Sequence, residues 1–125
     1  MELRLDSPGE YFAVRAVSAR GIQINEEWYQ GSLILSTREV IAPWNVERLE
    51  DLGKADVERI LALKPEVVLI GTGDRQRLLP PELLVRFLEH GAGAEAMTTP
   101  AACRTFNVLA SERRRVVAAL INRSG

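Results

Sequence analysis

Val67-Val68-Leu69-Ile70-Gly71-Thr72-Gly73 reads as a buried strand that ends in a glycine turn. Four apolar residues, three of them β-branched, run into the turn, and helix-forming sequence follows a few residues later. A parallel strand covered on both faces has this pattern. In open α/β sheets the carboxyl ends of such strands border the usual ligand crevice, so the turn marks where a site belongs.

Downstream of it, helix and strand alternate. Pro81 stands at a first helical position, Leu84, Phe87 and Leu88 make an inward stripe, and Gly91 lies just past the end. Ala94 to Met97 is a short strand leading to Thr98-Thr99-Pro100. There Thr99 is the expected N-cap and Pro100 the first helical residue, with Ala102, Cys103, Phe106, Leu109 and Ala110 on one face. Val116 to Ile121 reads as a last buried strand. Upstream, Gly53 to Leu63 places Val57, Ile60 and Leu61 on one helical face before Lys64-Pro65.

The first third reads as β structure. Phe12, Val14 and Ala16 alternate within Tyr11 to Ala19, then Ile22 and Ile24 precede Asn25-Glu26-Glu27, the pattern of a hairpin or meander. Ser32 to Leu35 and Val40 to Ala42 are further short strands. The expected fold class is α/β: a three-layer domain with a mixed central sheet, antiparallel strands at the N-terminus and helix/strand alternation after residue 53. With no repeat or linker, residues 1–125 are expected to form one domain.

Composition narrows the function classes. Sixteen basic against seventeen acidic residues give no global preference for nucleic acid or an anionic membrane, and Arg113-Arg114-Arg115 reads as a solvated strand approach. No apolar run is long enough to span a membrane. The lone Cys103 rules out an internal disulfide and suits a reducing compartment. Met1 to Asp6 lacks the layout of a secretory signal, so Asn122-Arg123-Ser124 reads as a chance glycosylation triplet and a cytoplasmic location is expected.

Catalytic chemistry is thinly supplied. His90 falls in the last turn of a helix, where it complements the macrodipole. Cys103 reads as a small core residue, with pairing to His90 or a redox role left open. No spacing supports a metal site. Gly71-Thr72-Gly73 begins like a dinucleotide fingerprint, but Gln76 stands at the third glycine position and no Gly-Lys-Ser/Thr follows. The remaining candidates are Gly71, Thr72 and Gly73 with Thr98 and Thr99, two strand-to-helix corners that could share a crevice for a small anion or carboxylate bordered by Arg75, Arg77 or Arg104. Asn107, at the margin of an apolar stripe, is expected either to contact that ligand or to tie its helix to a neighbouring loop such as the glycine turn. The competing account is that the glycines allow tight backbone approach and the threonine caps its own helix. Glu112 is a candidate ion-pair partner for Arg113 or Arg104, and Trp28-Tyr29 and Trp44 are candidates to close the core or an interface.

The order of the motifs carries further information. Tyr29-x-Gly31-Ser32-Leu33-Ile34-Leu35, Pro43-Trp44, Pro65-Glu66 leading into the glycine turn, Met97-Thr98-Thr99, Ala102, Thr105-Phe106-Asn107-Val108-Leu109 and Glu112-x-Arg114 follow one another at fixed intervals. Together they resemble the family that contains complex I assembly factor 3 and its bacterial and archaeal relatives, a domain family of unknown function. The resemblance runs from residue 10 to residue 122. It implies a three-layer α/β domain with a mixed central sheet. It also implies assembly work through protein partners rather than catalysis. No cofactor is expected, and, with no mitochondrial presequence read at the N-terminus, a prokaryotic member is the better match.

Overall fold

The computed structural model describes residues 2–5 and 10–122, so Met1, Asp6 and the end of the Asn122-Arg123-Ser124 triplet lie outside the described residues. Six strands form the main sheet: β1 (Glu2–Arg4), β5 (Leu33–Ser36), β6 (Glu39–Ile41), β7 (Val67–Gly71), β8 (Gly93–Met97) and β9 (Val116–Leu120). Their spatial order is β1-β6-β5-β9-β7-β8, parallel at β9-β7-β8 and antiparallel elsewhere. A separate antiparallel meander holds β2 (Val14–Ser18), β3 (Gly21–Ile24) and β4 (Glu27–Tyr29). The helices are α1 (Lys54–Leu61), α2 (Pro81–Glu89) and α3 (Thr99–Ser111), with a short 3-10 turn at Leu49–Asp51.

The period-two alternation of buried strands builds two cores. In β9, Val116, Ala118 and Leu120 face α3 and the meander, together with Phe106, Ile22 and Leu69. Val117 and Ala119 face the other way, where Val68, Ile70, Trp44, Ile60 of α1 and Phe87 of α2 meet. The main sheet is therefore the middle of three layers. Trp44 closes the helical side, its indole Nε1 donating to Asp56 Oδ1 at 2.8 Å. The same carboxylate accepts the Gly53 N–H at 2.9 Å, which ties the start of α1 to the core.

Several expectations change in detail. The first long strand is shorter than Tyr11 to Ala19, because β2 starts at Val14 with a register shift before Ala16. β4 continues past the Asn25 turn, where φ is 51°, so Trp28 and Tyr29 belong to a third strand. In α2, Phe87 is fully buried but Leu88 is 63% exposed, so Leu88 is not part of the inward stripe. The expected Leu84 does face inward, and Leu83 joins it. Thr98, not Thr99, is the N-cap of α3, its hydroxyl accepting from Ala101 N at 3.4 Å. Among the described residues Glu112 makes no ion pair; Arg114 pairs with Glu66 at 3.3 Å. The Glu66 carboxyl is held below its ordinary range by the Arg115 backbone N–H it accepts, and next by Arg114.

Candidate functional site

The strands β7 and β8 lie side by side and parallel, and their carboxyl ends send the chain to opposite faces, to α2 and to α3. That divergence opens a crevice in other α/β sheets. Here it is stitched shut. Thr72 N donates to Met97 O at 2.8 Å, and Thr99 N donates to Gly73 O at 2.8 Å. Gly73 N donates to Thr99 Oγ1 at 2.9 Å, while that hydroxyl donates to Ile121 O at 2.6 Å. Thr72 Oγ1 in turn reaches Arg75 O at 2.6 Å.

The helix start is equally satisfied. Thr98 Oγ1 serves Ala101, Thr98 O serves Ala102, and Pro100 has no N–H to offer. The glycines have structural causes. A β-carbon on Gly71 would stand 2.8 Å from Thr99 Oγ1 and 3.1 Å from Leu120 Cδ2, so the start of α3 packs directly on that backbone. Gly73 takes φ +94°, which L side chains rarely adopt. The two corners therefore meet: Gly73 and Thr99 bond each other, Thr72 bonds Met97 and Arg75, and Thr98 serves its own helix.

Asn107 is elsewhere. Its Oδ1 accepts Val14 N at 2.9 Å and its Nδ2 donates to Val14 O at 2.8 Å, a two-bond clamp between α3 and β2. It ties the helix to the meander rather than to the glycine turn. The sequence marks Asn107 as a residue that needs partners but does not show which segment supplies them.

Beside the stitched corner a cleft of about 1340 Å³ opens between the glycine turn, the α3 start at Thr99 and Pro100, the β2–β3 turn and residues 47–49. Arg75 and Arg77 line it and Arg104 does not, while Arg20 and Arg48, which the sequence reading did not select, join them. Arg77 pairs with Glu50 at 2.9 Å and Arg48 with Asp51 at 3.4 Å. Arg20 lies 4.5 Å from the centroid of the Trp28 ring. Among the described residues the Arg75 guanidinium meets no carboxylate. Arg20 and Arg48 were hidden because both stand in turns far from Gly73 in sequence.

The nucleophile and base candidates separate. Cys103 is buried on the α3 side of the main sheet, and burial pushes its thiol up to about 12. His90 is exposed at the end of α2, on the opposite face, with Nδ1 at 2.9 Å from Arg86 O. The sheet lies between them, so they form no catalytic pair. No cluster of three or more metal-ligating side chains occurs among the described residues.

Known proteins share this sequence and architecture. The chain is 34% identical over 94 residues to the 13 kDa major membrane protein of Francisella tularensis, covering 74% of this chain and 76% of that one. It is 35% identical over 121 residues to NADH dehydrogenase [ubiquinone] 1 alpha subcomplex assembly factor 3 of Bos taurus. That match takes in 95% of this chain but only 65% of the bovine protein. A crystal structure of a Bordetella parapertussis protein superposes with a TM-score of 0.85 at 37% identity, covering 93% of this chain and 99% of the other. No helix among the described residues is long and apolar enough to cross a membrane. Over residues 14–121 the sequence matches the model of the proteins of unknown function DUF498/DUF598, and the chain belongs to that family.

Proposed function

We propose that this chain is a non-catalytic, protein-binding domain of assembly type, acting in the cytoplasm of a prokaryote. The observation that carries the reading is its similarity, along 95% of its length, to a protein named as an assembly factor. The surface of α2 suits the role. Val85 and Leu88 are 53% and 63% exposed, three residues apart on one helical face, and Leu78 just before the helix is 88% exposed. A contiguous apolar patch on an outer face marks a protein contact surface. The test is affinity purification from the source cells with wild type and with Leu88→Glu, whose fold is checked by circular dichroism. A stoichiometric protein partner, lost with Leu88→Glu, is the expected result. Recovery of no such partner would overturn the reading.

One observation favours a second reading, a small-anion binder. Arg20, Arg48, Arg75 and Arg77 line one cleft against two carboxylates, Glu47 and Asp74. In this reading Thr72, Gly73 and Thr99 form the wall and Arg75 supplies the charge, while Gly71 lets α3 pack against that wall, Thr98 caps the helix and Asn107 takes no part. Titration with inorganic phosphate should then raise the melting temperature of wild type and not of Arg75→Ala. Equal responses would remove the reading.

A further inference from the structure

We propose that the outer edge of β8 is a docking edge for an extended segment of another protein that carries a lysine or arginine opposite Glu95. The inference rests on the protein-binding reading and adds the mode of contact. Among the described residues the main sheet ends at β8, and one side of this strand has no neighbouring strand. Gly93 N donates to Glu66 O, and Met97 O accepts from Thr72 N. With the register Val67↔Gly93 through Gly71↔Met97, these bonds turn Gly93, Glu95 and Met97 toward β7. Ala94 and Ala96 therefore point their N–H and C=O groups outward. Among the described residues no loop or side chain bonds to those four groups.

Exposed edges are normally blunted by proline, charged side chains, a bulge or short length, and the one charge on β8 is Glu95. β8 reads Gly-Ala-Glu-Ala-Met and pairs with β7 without a register shift. A β-carbon on Gly93 would meet nothing within 4 Å, so its approach is open. Two donors and two acceptors spaced two residues apart match the backbone of an extended chain.

Charge decides between occupants. In a pair of β8 strands, the register that joins all four groups to those of the other copy sets Ala94 against Ala96 and Glu95 against Glu95. Like charges directly opposite destabilise a strand pair, and opposite charges stabilise it. A foreign strand with a cation at that position therefore fits better than a second copy. The residues flanking its cation would lie beside Ala94 and Ala96, whose side chains pack toward the α2 layer. Apolar flanking residues suit that side.

The probes are two synthetic peptides, acetyl-Thr-Val-Lys-Val-Thr-amide and the same peptide with glutamate at its centre, followed by amide hydrogen exchange on the whole protein. In the free protein the amides of Ala94 and Ala96 should exchange fast and those of Glu95 and Met97 slowly. The lysine peptide should slow Ala94 and Ala96 and bind about two- to five-fold better than the glutamate peptide. Glu95→Lys should reverse that preference, and Ala96→Pro, which removes a donor, should abolish the protection. Amides already protected in the free protein, protection that follows protein concentration alone, or equal binding of both peptides overturns the proposal. A cellular partner that wild type captures and Ala96→Pro still captures also overturns the edge proposal, while leaving the protein-binding reading in place.

Discussion

Replacing Thr99 by valine keeps the shape of the side chain and removes its oxygen. That oxygen accepts from Gly73 N and donates to Ile121 O, and the residue is 2% exposed. Each buried backbone group left without a partner costs about 1–3 kcal/mol. Thr99→Val should lower the denaturant midpoint accordingly, whereas Thr99→Ser should stay close to wild type. Equal stability of Thr99→Val and wild type would show that the stitch contributes nothing. Cys103 gives a second test at this scale. Burial raises its thiol to about 12, with the Arg104 charge pulling the other way. A folded value above the unfolded one means its contribution is complete below the ordinary thiol range, about 8.5, and is lost as pH rises toward about 12. Native protein at pH 8 should leave Cys103 unlabelled by a thiol reagent that labels the denatured chain at once. Fast native labelling would restore a redox role.

At the scale of elements, the clamp from Asn107 to Val14 should decide how firmly the meander sits on α3. Asn107→Leu removes two bonds to one strand, and amide exchange across β2 and β3 should rise far more than across β7 and β9. No rise would mean that Phe12, Val14, Ile22 and Ile24 hold the meander by packing alone, and a uniform rise that the clamp stabilises the whole fold rather than the meander. The strand-to-helix corners were legible beforehand because β7, α2 and α3 carry strong periodicity and proline punctuation. The small sheet was less so, since β4 is only Glu27–Tyr29 and its place is fixed by contacts distant in sequence. Leu88 misled for a related reason: α2 has apolar residues on two faces, and periodicity alone does not say which face is buried. At the glycine turn the chemistry was readable and the outcome was not. Whether free N–H groups meet a ligand or the oxygens of the facing corner depends on the distance between the two corners. The register Gly71↔Met97 sets that distance, and no local sequence signal reports it.

For the whole molecule, the two cores share one sheet, and this predicts how they unfold. β9 contributes alternate residues to both sides, so neither side can melt without exposing the other face of the same strands. The two tryptophans report on opposite layers: Trp44 among the helices, Trp28 on the meander under Arg20. In Trp28→Phe and Trp44→Phe variants the remaining indole fluorescence should therefore change at the same denaturant concentration as the far-ultraviolet dichroism of that variant. Adding Asn107→Leu should break the coincidence on one side only. The Trp28 signal should then move to lower denaturant while the Trp44 signal stays with the dichroism, because the clamp joins the meander to α3 and touches nothing on the helical side. Separate transitions in the absence of that substitution would show that the shared strands do not couple the layers, and that the meander is an independently melting unit.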